Sequence, residues 1–305
     1  MIGYALRRLL GLVPLLLLVL FLAFVFMRTA PGGPFDAERN LSPQIEQALR
    51  ARYHLDEPVL QQFGRYLADL AHGDLGPSFR YRNRSVAEII AETAPISLAL
   101  GVLAMALALL FGLAAGIVSA VRARSGWDHL AMGFAMAGIC IPNFVLGPVL
   151  VLVFALLLHL LPPAGWGTPA HLVLPAITLG ALRAASIARL TRGSLLEALG
   201  EDSIRTARAK GLSEPVVVLR HALKLAILPV VSYLGPATAA TLSGSVVVER
   251  IFLVPGLGTF FVQSALNRDY TVAMGTVLFY STLLMLLNLA VDLAYRALDP
   301  RVELA

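Results

Sequence analysis

Long apolar stretches alternate with short polar ones along this chain. Crossing ~30 Å of hydrocarbon at 1.5 Å per residue takes about 20 apolar residues. Leu9 to Met27, Pro95 to Val121, Leu130 to Leu158, Leu225 to Val248 and Thr271 to Val291 run that far or nearly so without an Asp, Glu, Lys or Arg. A sixth stretch, His171 to Leu190, is long enough but carries Arg183 and Arg189; it is counted because only an even number of spans fits the charge pattern described below. The expected fold is an all-α polytopic membrane protein with six transmembrane helices. Pro14, Pro142, Pro148, Pro175, Pro229 and Pro236 fall inside these stretches and predict kinks, because proline removes a backbone donor and frees a carbonyl. Gly101, Ala104, Ala108, Gly112, Ala115 and Gly116 give the second span small residues at close to four-residue spacing, which suits tight helix packing.

The longest polar interruption, residues 29–94, predicts a small folded lobe between the first and second spans. Ser42 with Pro43, and Glu57 with Pro58, look like helix starts. Ser85 and Glu88 have capping-box spacing, which predicts a short helix leading into the span at Pro95. His72 to Gly76, HGDLG, is a helix stop and turn. A connector of this length usually has a function, and a docking surface for an external protein is the expectation.

Charge gives the orientation. Only 14% of residues are charged and 58% are hydrophobic, against about 25% charged in soluble chains. With the amino terminus inside, residues 1–8, 122–129, 183–224 and 292–305 hold 14 Arg/Lys against 8 Asp/Glu, while the outer segments hold 10 against 11. Basic residues therefore collect on the cytoplasmic side, with both termini there. The net charge of +5 then reports orientation and contact with membrane lipid, and no nucleic-acid partner is expected. Arg7, Arg8 and the apolar run after them resemble a signal peptide. The run is long, however, and Arg28 and Thr29 follow in place of small residues, so an uncleaved first helix is expected. The lone Cys140 lies inside an apolar run and is expected to be a small buried filler.

Catalytic motifs are missing from the sequence. Its two lysines, Lys210 and Lys224, precede Gly211 and Leu225, so no phosphate-binding Gly-Lys-Ser/Thr loop exists. Ser243 and Ser245 flank Gly244 without forming a nucleophile elbow, and the six histidines lack metal-ligand spacing. No metal or cofactor site is expected in this chain. A secondary carrier, the competing class, would show an inverted repeat and buried acids for ion coupling, and neither is evident.

The polar segment at about 190–224, RLTRGSLLEALGEDSIRTARAKGLSEPVVVLRHALK, is too patterned for a linker. Leu195, Leu196 and Leu199, then Ile204, Ala207 and Gly211, recur near helical spacing, and Val216 to Leu223 resumes an apolar face. A helix, a sharp turn at Gly211 and a second helix are predicted. Arg205, Arg208 and Lys210 would be presented around the turn. An amphipathic loop lying on the lipid surface fits the same residues.

RTARAKGLSE, at Arg205 to Glu214, resembles the cytoplasmic signature of permease subunits of ATP-binding-cassette importers, in the form found in the peptide-transport branch. Arg205, Thr206 and Ala207 stand where the general signature has Glu-Ala-Ala, Gly211 matches its glycine, and the later Leu-Pro reads Leu223-Lys224. The similarity extends over RTAPGGPF (28–35), RYHL (52–55), AHGDLGPSFRY (71–81), IPNF (141–144), SIARLTRGS (186–194), VPGLG (254–258), ALNRDY (265–270) and Asp299-Pro300. Within that branch the matches are nearer to oligopeptide permeases than to dipeptide, glutathione or nickel relatives. The resemblance implies a type I importer permease fold, with a core at 95–298 and a tail at 299–305. It also implies a second homologous permease, two ATPase subunits that bind ATP and Mg, and an extracytoplasmic peptide-binding protein. Arg205, Thr206, Ala207, Arg208, Gly211 and Glu214 become the expected ATPase contact.

For the translocation pathway the candidates are Arg183, Pro142, Asn143, Glu249 and Arg250. Arg183 lies about a dozen residues into its span, past the midplane. It could bind a peptide carboxylate in a watery path or snorkel to the inner interface. Glu249 and Arg250, at the outer end of the fifth span, could gate the pathway or form a rim salt bridge. Asp292 and Arg296 are spaced to pair across one helical turn.

Overall fold

Apolar helices dominate the computed structural model, which describes residues 2–29, 56–81, 83–243 and 245–298. The Ser42-Pro43 helix start, the 52–55 match, Asp299-Pro300 and the side chain of Arg296 lie outside the described residues. The elements are α1 (Ile2–Thr29), α2 (Val59–Ala71), α3 (Val86–Val121), α4 (Gly126–Cys140), α5 (Asn143–Leu157) and α6 (Ala170–Leu199). They continue with α7 (Asp202–Ala209), α8 (Glu214–Ala226), α9 (Leu228–Ser243), α10 (Ser245–Ile251), α11 (Leu257–Leu266) and α12 (Tyr270–Leu298). By length and apolar composition α1, α3, α6 and α12 each suffice to cross a membrane, and two bent pairs, α4 with α5 and α8 with α9, bring the number to six.

The bends refine the proline expectations. Pro142 does break its span: α4 stops at Cys140, Pro142 caps α5, and the two halves meet at 112°. The other bend, 57°, falls at Ile227 just ahead of Pro229, where a proline at the helix start costs nothing. Pro14, Pro148, Pro175 and Pro236 remain inside helices. Pro95 also stays inside a helix, so the short helix expected before the second span is in fact its first turns. The capping box forms as predicted, with Ser85 N–H donating to Glu88 at 3.0 Å and Glu88 N–H to Ser85 Oγ at 3.1 Å. Cys140 corrects the filler expectation. It ends α4 on an exposed face.

The chain divides into two compact units, one of residues 97–254 and the helix from Leu286 on, the other of residues 2–96 and 255–285. In the first, α6 is the hub, packing against α4, α5, α8, α9 and α10. Lipid tails are as apolar as leucine, so close contact rather than transfer from water holds such helices together. The small residues of α3 make that contact: a Cβ at Gly116 would lie 2.6 Å from Thr191 Cβ and 2.7 Å from the Ala188 carbonyl. Any side chain there would push α3 off α6.

In the second unit, Phe24 of α1 meets Phe63 and Tyr66 of α2 at 5.4 and 6.0 Å between ring centroids. His72 ends α2, and Gly73 and Gly76 turn the chain at φ near +79°, as the HGDLG stretch predicts. The following loop is fastened by Asp269, which is 1% exposed. Its carboxylate accepts the Ser78 hydroxyl, the Phe79 and Arg80 N–H groups at 3.2 Å, the Thr271 hydroxyl at 3.0 Å and the Val272 N–H at 3.3 Å. The distant stretches AHGDLGPSFRY and ALNRDY are thus one structural feature. A buried carboxylate is tolerable when it is this fully hydrogen-bonded.

Candidate functional site: the 202–214 turn

Following α6, Gly200 and Glu201 reverse the chain and α7 begins, with Thr206 Oγ1 donating to the Asp202 carbonyl at 2.9 Å. One face of α7 is apolar. Ile204, 1% exposed, and Ala207 pack into a cluster with Leu195, Ala198, Val217, Val218, Ala222 and Ala226. Removing an isoleucine side chain from water contributes about 1.5–3 kcal/mol, enough to pin so short a helix.

Gly211 then takes φ +77°, and its N–H donates to the Arg208 carbonyl at 2.9 Å. Only glycine adopts that backbone freely. Ser213 caps α8, Pro215 follows at its start, and Arg208 reaches across the turn to Glu214 with bonds of 2.7 and 3.3 Å. The hydrogen bond to Glu214 raises the pKa of the Arg208 guanidinium above its ordinary value. Arg205 pairs with Asp202 at 3.2 Å on the exposed face. The helix, turn and helix predicted from the sequence therefore close into a small knob.

Of the six residues expected to contact an ATPase, Arg205, Thr206, Arg208, Gly211 and Glu214 are exposed on this knob. Ala207 is buried by its own chain. Its small side chain lets α7 sit down on α8, and it fastens the knob rather than facing outward.

The pathway candidates fall at the α4–α5 break, on α6 and on α10. Pro142 is exposed at the α4–α5 break and Asn143 is half-buried beside it. Arg183 is half-buried in α6 and held by neutral groups of α9, donating to Thr241 Oγ1 at 3.2 Å and to the Tyr233 hydroxyl at 3.4 Å. Glu249 is not at a rim. It is 0% exposed and accepts the hydroxyls of Ser97 and Ser245 at 2.7 Å each, tying α10 to α3, while Arg250 is exposed. Two serine donors stabilise the buried carboxylate where an exposed gate residue or rim salt bridge was expected.

A second fastening, which the sequence reading did not single out, lies at the start of α4. Asp128, at the start of α4, is buried and accepts a two-pronged contact from Arg192 of α6, 2.9 Å on each oxygen. It also takes the Ser119 hydroxyl and the Arg124 N–H at 2.9 Å. Ser125 before Asp128 is an N-cap with an acid in the first turn, a local signal that could have marked the residue. Asp269, an acid just ahead of α12, carries the same kind of signal.

Residues 108–304 match the family of binding-protein-dependent transport system inner membrane components. The oligopeptide transport system permease protein OppB of Escherichia coli K12 is 45% identical over 305 residues, covering 99% of this chain and all of that protein. The dipeptide transport system permease protein DppB of Bacillus subtilis is 42% identical, covering 100% and 99%. Among solved structures, the MetNI methionine transporter superposes with a TM-score of 0.59 at 19% identity, over 69% of this chain and 96% of that one, which shows a shared fold. The chain belongs to the binding-protein-dependent transport system inner membrane components, the permease subunits of ATP-binding-cassette importers.

Proposed function

We propose that this chain forms half of the translocation pathway of an oligopeptide importer and receives its energy through the 202–214 knob. The observation that carries the mechanism is the knob itself: short, closed by glycine and an ion pair, apolar on the inner face and charged on the outer. A short element packed onto the helices on either side, here α6 and α8, can pass a displacement to them. Without a phosphate-binding loop of its own, the chain depends on two ATPase partners that bind ATP and Mg. Arg205, Thr206, Arg208, Gly211 and Glu214 form the contact with one of them.

A second, homologous permease completes the pathway, and an extracytoplasmic binding protein delivers the peptide. Both termini face the cytoplasm, in line with the excess of basic residues there. Within the pathway Arg183, which has only neutral hydroxyl partners among the described residues, is placed to meet a peptide carboxylate. Pro142 and Asn143 at the helix break and the exposed Arg250 border that route, while the buried Glu249 fastens α10 to α3 behind it.

Full-length identity of 42% to a dipeptide permease keeps dipeptides as a second substrate reading. Uptake into proteoliposomes holding the complete complex separates the two. Longer peptides should accumulate only with ATP, the ATPases and the binding protein, and dipeptides should compete weakly. Strong competition by dipeptides would favour the second reading. Accumulation without the ATPases would refute the importer and favour a secondary carrier.

A further inference from the structure

In the unit of residues 2–96 and 255–285, a cavity of about 220 Å³ opens beside the last turn of α1. Arg28 lies in its wall with the guanidinium 5.0 Å from the Phe24 ring centroid and 4.9 Å from that of Tyr270. Among the described residues no carboxylate pairs with it. Stacking on rings uses the faces of the guanidinium and leaves its in-plane N–H donors available for an oxyanion. Beside it, the Tyr66 hydroxyl is buried without a hydrogen-bond partner. Burial pushes this phenol up to about 12, so it remains a donor. A half-buried cation and an orphaned donor in one small cavity are costly unless an anion satisfies both.

The rest of the wall selects among anions. Asp69 and Asp74 line the same cavity and are exposed, and the Arg65 beside them is paired with Glu57 at 2.9 Å, which suits a cation on the far side of the ligand. The volume lies below the roughly 300–1,000 Å³ of sites for drug-sized ligands, so only a small dipolar group fits. Position supplies the source. The span Leu10–Thr29 is apolar up to Arg28 and little of it is buried by the rest of the chain. Leu18, Leu22 and Phe26 form an exposed apolar stripe on another face of α1, which runs up to the level of Arg28. An apolar helix that ends there places Arg28 at headgroup depth.

We propose that this cavity holds the headgroup of a zwitterionic phospholipid, its phosphate on Arg28 and Tyr66 and its ammonium toward Asp69 and Asp74. The site is independent of which solute the importer carries.

The test is native mass spectrometry of the purified, delipidated complex after adding phosphatidylethanolamine or phosphatidylglycerol. Wild type should retain phosphatidylethanolamine in preference to phosphatidylglycerol. Arg28→Gln should lower that retention roughly tenfold or more, the scale of a lost charged hydrogen bond. Tyr66→Phe, which removes one oxygen and preserves packing, should lower it roughly two- to tenfold even where Arg28→Gln impairs assembly. Equal retention by wild type and Tyr66→Phe, or a preference for phosphatidylglycerol, would overturn the proposal. So would displacement by soluble glycerophosphoethanolamine at the lipid's own concentration, since the ligand would then be a free solute.

Discussion

Two short segments of this chain are held in place by opposite means. The 202–214 knob is fastened by apolar packing beneath, through Ile204 and Ala207, and its charges lie outside. The 78–81 loop is fastened by a charge inside, the buried carboxylate of Asp269. Packing tolerates small displacement because dispersion and burial are non-directional. A carboxylate that satisfies several donors has one geometry, and a donor left unsatisfied costs its full desolvation. The first arrangement suits a surface that meets a partner while remaining attached, the second a loop that must not move.

That contrast can be broken from its rigid side first. Asp269→Ala strands the Ser78 hydroxyl and the Phe79 and Val272 N–H groups, while Thr271 keeps the Pro77 carbonyl and Arg80 keeps Ser78 Oγ, so the loss of stability should reach at least about 3 kcal/mol. Thermal unfolding of the purified complex measures it, and a loss below 1 kcal/mol, roughly the worth of an ordinary hydrogen bond, would show that the carboxylate is not the anchor. Ile204→Ala removes buried methyl groups from the knob and should cost about 2–3 kcal/mol, near the low end for such changes because a surface helix can settle into the space. Limited proteolysis should detect the loosened knob as faster cleavage between α6 and α8. Unchanged cleavage would mean that α7 is held by something other than its apolar face.

Arg208→Ala should have the smallest effect on stability, because the ion pair with Glu214 is solvent-exposed. Its melting temperature should match wild type within error. A clear drop would place the ion pair, and not the packing beneath, at the centre of the knob's stability.

The knob was readable from sequence because its device is periodic: apolar residues at helical spacing, then a glycine. The capping box at Ser85 and the turn at HGDLG were readable for the same reason, each being a local pattern with one geometry. Asp269 and Asp128 were not, since their partners are Ser78 to Arg80 in one case and Arg192 in the other, far away in sequence and joined only by the fold. Glu249 shows the same limit. Placed beside Arg250 in the sequence, it suggests an ion pair, yet serines from α3 and α10 take the carboxylate inside. Helix ends were also hard to place, because α6 runs on to Leu199 in one unbroken helix where composition alone turns polar after Leu190.

The most direct test of the central claim replaces Gly211 by proline in the assembled importer and measures ATP hydrolysis stimulated by peptide-loaded binding protein. Proline at Gly211 cannot take φ +77° and removes the N–H that closes the turn on Arg208, while the spans are untouched. Co-purification of the ATPases checks that the complex is intact. With assembly preserved, stimulation should fall by about 5- to 150-fold, the range of a typical coupling free energy between sites. Stimulation equal to wild type would contradict the account and leave 202–214 as a connector with no part in energy transfer.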